Sequence, residues 1–288
     1  MVFPHSNKLK IIQYAENVRL NPSFKDAMDF FATAFTKIYE KNFLLARIAS
    51  EEEQYLIILV IVAAHLSKKP ENPRSGIHFA QVQGIASSHK LASPNRVASL
   101  LSLLQRAGYL KAQADPRDRR MQRMEPTPLA LSTLRYFATS YLLPVSMLSG
   151  NPSLLGRADD ISFQKRIVML CYLYFLEFGS PANTVPIIRV FVSKNAGLQI
   201  LLRLLTAGFV PGGEKADTRY FPFSEISSLF GVSRAHVRRL IEDAEAKGLV
   251  KVEAEGGRAI RILPSFHRLV ETFISAQFGL VMAALDAE

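Results

Sequence analysis

Cysteine occurs once, at Cys171, inside the apolar run 167–175. A disulfide framework within the chain is thereby excluded, and a cytoplasmic setting is the expectation. A lone thiol among apolar neighbours reads as core, because reactive thiols sit in exposed, electropositive surroundings. The N-terminal segment 1–20 holds no long apolar stretch and no small-residue cleavage site, so no signal peptide is expected. The longest apolar run, 55–64, falls short of the ~20 residues that cross a bilayer, so no membrane partner is expected. The signatures of nucleotide-dependent and hydrolytic enzymes are missing too: there is no P-loop, dinucleotide fingerprint, nucleophile elbow or HExxH. His65, His78 and His89 are widely spaced and lack carboxylate or cysteine company, so they do not read as metal ligands. The expectation is a chain with no enzymatic activity, no cofactor and no metal.

What is present is apolar and basic. The chain has 288 residues, 49% apolar and 21% charged, which excludes a disordered chain and allows two ordinary domains. Its net charge of +10 is uneven: residues 1–150 hold 19 Lys+Arg against 11 Asp+Glu, and residues 151–288 hold 16 against 14. A basic balance favours a polyanionic partner.

The sequence also repeats itself. Ser93, Val97 and Leu100 recur as Ser233, Val237 and Leu240, and Gly108-Tyr109-Leu110 recurs as Gly248-Leu249-Val250, all at an offset of 140. Ser23-Phe24 recurs as Ser162-Phe163 at 139, and Pro128 and Phe137 recur as Pro264 and Phe273 at 136. The order is constant and the drifts fall where loops belong. The spacing predicts two copies of one unit, 1–150 and 151–288, joined at the turn-rich Ser149-Gly-Asn-Pro-Ser153. Each copy reads as a long amphipathic helix (23–40; 161–178), an apolar helix (52–66; 196–205), a short helix (80–88; 224–230), a longer one (94–107; 234–247), a hairpin, and a closing helix (129–143; 265–285). Glu51-Glu52-Glu53 is a favourable charge cluster at a helix N-terminus.

The third and fourth helices of each copy have the grammar of a helix-turn-helix. In the second copy Ser227 is small where the helices touch, Gly231 suits positive φ at the turn, and Ser233 is an N-cap. Val232, Val237 and Leu240 then face inward, which leaves Arg234, His236, Arg238 and Arg239 outward as candidate donors to base edges and phosphates. The first copy has one residue more between Ile85 and Ser93 and no Gly in its turn, where His89 and Lys90 stand; Asn95, Arg96, Ser99 and Ser102 are expected to be exposed.

Each such pair precedes a hairpin. In the first copy, arms at 108–114 and 121–125 flank the turn Asp115-Pro-Arg-Asp-Arg-Arg120, a protrusion suited to touching phosphates. In the second, a Gly-Gly hairpin at Glu253-Ala-Glu-Gly-Gly-Arg258 carries acids on one arm and Arg258 and Arg261 on the other. The run from Asp115 to Pro128 resembles the wing of the MarR family of bacterial transcription regulators, with that family's Asp-x-Arg-Asp-x-Arg pattern and the Thr-Pro that opens the next helix. Residues 160–288 share the layout without that signature. The resemblance implies a mainly α protein of two tandem winged helix-turn-helix units with flanking dimerisation-type helices, arranged as a pseudo-dimer. It implies a sequence-specific regulator of transcription that binds double-stranded DNA. Arg117 and Arg119 would then approach the minor groove, with Arg120 and Asp118 bracing the hairpin. It also implies a small apolar or phenolic effector between interlocked helices, for which Tyr136, Tyr141, Tyr172 and Phe175, together with Phe137, Tyr174 and Phe178, are candidates; packed core is the alternative for them. The DNA-binding set expected is Asn95, Arg96, Ser99, Arg117, Arg119, Arg120, Ser233, Arg234, His236, Arg238, Arg239 and Arg258. Rival readings are a plasmid-type replication initiator, a winged-helix protein-interaction scaffold that does not touch DNA, and a sensor in which only the first half reads DNA. A monomeric pseudo-dimer and a homodimer are both compatible with the duplication.

Overall fold

The computed structural model describes residues 5–40, 43–68, 76–114, 122–183, 185–210 and 217–286. The chain is mainly helical, with two small antiparallel sheets. The first half runs through α1 (His5–Leu20), α2 (Phe24–Glu40), α3 (Phe43–Ile48), α4 (Glu52–Leu66), β1 (Ile77–His78), α5 (Phe79–Ser88), α6 (Pro94–Arg106), β2 (Leu110–Ala114), β3 (Gln122–Pro126) and α7 (Pro128–Ser149). A 3-10 turn, Pro152–Asp159, leads to the second half. There follow α8 (Ile161–Phe178), α9 (Arg189–Val192), α10 (Gly197–Leu205), β4 (Thr218–Arg219), α11 (Phe223–Phe230), α12 (Arg234–Ala246), β5 (Val250–Ala254), β6 (Ala259–Ile262) and α13 (Pro264–Asp286).

The two halves share one order of elements from α4 to α7 and from α10 to α13, and the sheets share one strand order, β1-β3-β2 and β4-β6-β5. The register of the sequence repeat is also a register of burial. Val97, Leu100, Leu101 and Leu104 are the buried face of α6, and Val237, Leu240, Ile241 and Ala244 are that of α12, each pair 140 residues apart. Ser93 and Ser233 cap these helices by accepting from the backbone N–H of Arg96 (3.4 Å) and His236 (3.1 Å); such caps stabilise a helix by ~1 kcal/mol.

Packing between the halves is reciprocal. Helix α2 lies on α10 and α8 lies on α4, so the long helix of each half covers the apolar helix of the other. One continuous core draws on both halves, from Phe24, Phe31 and Phe35 to Phe266, Phe273 and Phe278. Aromatic edges join it: Phe31 meets Tyr141 at 4.9 Å and Phe278 at 5.5 Å between ring centroids. A buried polar link crosses the same region, with the Tyr39 and Tyr55 hydroxyls 2.7 Å apart and Gln199 Nε2 donating to Tyr55 Oη (3.0 Å) and to the Ala49 carbonyl (2.9 Å).

Several elements go beyond the sequence reading. Helix α7 does not stop near residue 143 but continues past Pro144 to Ser149. An interior proline costs ~3 kcal/mol; burial of Leu142, Val145 and Leu148 and a bond from Asn21 Nδ2 to the Leu148 carbonyl (2.9 Å) hold the extra turns. Helix α1 was not anticipated; Ile11 and Val18 are buried, and it lies along α13. Helix α13 itself is, among the described residues, long and apolar enough to cross a membrane by composition, yet 56% of that stretch is buried in the fold.

Candidate functional site

The outward face of α12 is basic. Arg234, Arg238 and Arg239 are exposed while Val237, Leu240 and Ile241 are buried, which is what a helical period of 3.6 dictates. Arg238 Nε stands 3.6 Å from Glu242 Oε1, one turn on, an exposed pair of little energetic weight. Arg234 and Arg239 have no ion-pair partner among the described residues. Beside the first turn of α12 lies a polar cleft of about 340 Å³ whose walls include Tyr220, Ser224, Arg234 and the hairpin residue Arg258. The cleft places a helix arginine and a hairpin arginine on one opening, with Glu225 and Glu255 also on its rim.

Two of the expected donors make contacts within the chain. Arg96 is exposed, but its guanidinium is held at the N-terminus of α4: Nη2 bonds Glu51 Oε2 at 3.0 Å, and Nη1 lies 2.8 Å from Glu53 Oε2 as a contact of charges. His236 Nε2 donates to the Asn195 carbonyl at 2.8 Å, just before α10. Both residues occupy the third position of their helix, and both fasten it to the start of the apolar helix of the same half. Those contacts tie α6 and α12 to the start of the apolar helices. Ser233 spends its hydroxyl on the cap. Asn95 and Ser99 are exposed on α6. Arg117, Arg119 and Arg120, with the rest of 115–121, lie outside the described residues; their flanking strands β2 and β3 pair from Leu110↔Pro126 to Ala114↔Gln122.

The turns between the paired helices solve one geometric problem with different residues. Gly231 adopts φ 66° after α11, a conformation open to glycine without penalty. In the longer first-half turn Lys90 takes φ 53°, and the Leu91 N–H then bonds the Ala86 carbonyl at 2.8 Å. A left-handed residue with a Cβ costs ~1–2 kcal/mol. Lys90→Gly is therefore expected to stabilise the chain by ~1 kcal/mol, read as a higher thermal midpoint; an unchanged or lower midpoint would show that the lysine side chain earns its place.

A second feature lies between the halves. An apolar cavity of about 320 Å³ is walled by α1, α2, α4, α7, α8, α9, α10 and α13. Repeat-related residues meet in its walls: Phe137 with Phe273, Tyr141 with Gln277, and Phe35 with Tyr174, at the offsets of 136 and 139 seen in the sequence. Tyr141 Oη donates to Gln277 Oε1 at 2.6 Å across this seam. Burial pushes the Tyr55 and Tyr141 hydroxyls far above the usual phenol range, so both stay neutral donors. Burial likewise pushes the Cys171 thiol up to about 12. Glu52 also lines the cavity; its desolvation raises its carboxyl above the usual range against the opposing pull of Arg189, and Ser180 Oγ donates to it.

Of the four aromatic residues first singled out for a ligand, Tyr141 and Phe175 line this cavity. Tyr136 does not: it is 66% exposed on α7. Tyr172 does not either, and packs with Val62, Leu134 and Met169 on another face of α8. Tyr55, Tyr174 and Gln277, which do line it, escaped selection, Tyr174 only in part. Among the described residues no three of His, Cys, Asp and Glu gather as metal ligands. No protein-family model, no curated protein and no solved structure matches the chain.

Proposed function

We propose that the chain is a cytoplasmic, sequence-specific regulator of transcription that binds double-stranded DNA through two winged helix-turn-helix units, one in each half. The observation that carries this reading is the surface of α12: three exposed arginines on one helix, beside a hairpin that brings Arg258 to the same cleft as Arg234. A helix of this size fits a major groove, and arginine pairs with guanine edges and with phosphates. The shared order of elements and the equivalent sheets support a second unit of the same kind around α6. In that unit Asn95, Ser99 and Ser102 are exposed uncharged polar residues of the helix, and the arginines of the hairpin turn supply the charge. The reciprocal packing of α2 on α10 and α8 on α4 supports the pseudo-dimer.

A protein-interaction scaffold is the second reading, and one observation favours it: Arg96, the sole basic residue in the first turns of α6, is already neutralised by Glu51 and Glu53. Selection from a pool of random duplexes with the full chain separates the two. The expected result is an enriched motif, with Arg234→Ala and Arg239→Ala each relaxing it at one or two positions, at ~1–3 kcal/mol per lost base contact. A pool that stays random after selection overturns the regulator and leaves the scaffold.

A further inference from the structure

The hairpin of the second half does not stand free of the fold. Its tip carries two glycines, Gly256 and Gly257. Gly257 is buried at φ 80°, and its carbonyl accepts from the Phe221 N–H at 2.9 Å. A Cβ there would lie 2.2 Å from the Phe221 carbonyl oxygen and 2.6 Å from the Phe223 ring. The tip is therefore seated on the corner between β4 and α11, against two buried aromatic residues. The base of the hairpin is fastened as well. Glu245, in the last turn of α12, accepts from the Val252 N–H of the edge strand β5 at 2.8 Å. Edge strands expose such donors, and here the helix supplies the acceptor.

Gly256, at the tip, meets the first residue of α12. Its φ is 68°, and a Cβ there would lie 3.4 Å from Arg234 Nη2. The guanidinium thus rests on a stretch of backbone that glycine leaves bare. A long side chain loses rotamer freedom when it binds, and a surface that confines it beforehand reduces that loss. We infer that Gly256 is the positioning residue for Arg234: the bare turn sets where the guanidinium stands, and residue 256 thereby governs which base Arg234 reads. The reading of bases rests on the proposed function; the seat of Arg234 on the turn does not. The second hairpin then acts as a brace for α12 and not as a projection toward a flanking groove. The first-half turn 115–120 contains no glycine, so the duplication repeats the hairpin without repeating this seat.

The test places a carboxylate on the seat of the full chain. Aspartate and asparagine both tolerate a positive φ and are nearly the same size, so Gly256→Asp and Gly256→Asn differ in charge alone. An aspartate carboxylate begins one bond beyond that Cβ, within reach of the guanidinium. The first arm contains no DNA: phenylglyoxal modifies arginines, and mass spectrometry follows each site. On the unmodified chain Arg234 is expected to react more slowly than Arg239, and an equal or faster rate overturns the seat without any variant having to fold. Gly256→Asp is expected to slow Arg234 about threefold relative to Gly256→Asn, and equal rates in the two variants overturn the seat. The second arm selects from random duplexes. Gly256→Asp is expected to relax the motif at the positions that Arg234→Ala relaxes, about tenfold more than Gly256→Asn does. Added to Arg234→Ala, it is expected to relax them no further. Relaxation that adds to that of Arg234→Ala overturns the positioning role, because a merely structural change at the turn acts with or without Arg234. A chain that passes the first arm and selects no duplex refutes the regulator, and the base-reading role with it, while the seat of Arg234 stands.

Discussion

A chain carrying Arg117→Ala and Arg119→Ala is expected to bind every duplex roughly a hundredfold more weakly at ~0.1 M salt, with little change in the sequence it selects. The reasoning is electrostatic. Each phosphate neutralised by a basic side chain releases condensed counterions, so binding falls with salt at a logarithmic slope of ~0.9 per contact. At ~0.1 M salt that release is worth roughly tenfold per contact relative to the molar reference, and two contacts multiply. The slope of log affinity against log salt should flatten by ~2. The first half is where this matters: it carries 19 of the 35 basic residues, yet Arg96 on α6 is clamped by two carboxylates. Its grip on a polyanion then depends on the hairpin turn. The second half is built in the opposite sense, with arginines on α12 and only Arg258 at the exposed hairpin end. Substitution of Arg234 should change which duplexes are selected, whereas substitution of Arg117 and Arg119 should change how strongly all are held. A salt titration in which the double variant keeps both affinity and slope would remove the hairpin turn from the interface.

Much of this architecture was legible in the sequence, and the misses have physical causes. Helices 52–66 and 161–178 were read to the residue because their apolar stretches end at strong stop signals, Ser67 and Gly179. The register of α6 against α12 followed from Ser93/Ser233 and Val97/Val237, since a cap and one buried position fix the face of a helix. Helix α1 was invisible because what orders it, α13, lies more than 240 residues away. The two-residue strands β1 and β4 carry no pattern of their own and exist as partners of β3 and β6. Side-chain direction was the deeper loss. That Arg96 and His236 sit on the helix surface follows from periodicity, but where a long side chain bends depends on Glu51, Glu53 and Asn195, which other elements bring there.

The cavity residues show what a stricter use of periodicity would have found. Phe137 and Tyr141 are one helical turn apart and share the cavity face of α7; Tyr136, one residue earlier, is rotated ~100° to solvent. On α8, Ile167, Cys171, Tyr174 and Phe175 form one stripe with spacings of four and three, and Tyr172 falls off it. Grouping aromatic residues by neighbourhood in sequence mixes the two faces; grouping them by helical spacing separates cavity from core.

Gly279→Leu is expected to unseat α1 and to destabilise the chain by ~3 kcal/mol, the upper range for overpacking a close contact. Helix α13 approaches α1 closely at this glycine: a Cβ there would lie 2.6 Å from the Ile11 carbonyl oxygen and 2.8 Å from the Ala15 backbone nitrogen. Those are backbone atoms, so no side chain can swing aside, and α1 must move as a whole. Ile11 would leave its buried position and Val18 with it, and the exposed bond between Lys10 and Asp286 at the far end cannot hold the pair together. For a chain of this size ~3 kcal/mol corresponds to a fall in thermal midpoint of roughly 10 °C. Because Ile11 also walls the cavity between the halves, the same variant should open that wall. A deletion of residues 1–20 should lower the midpoint as well, since it removes the same packing against α13. A Gly279→Leu chain with an unchanged midpoint would mean that α1 is not seated on α13 in solution.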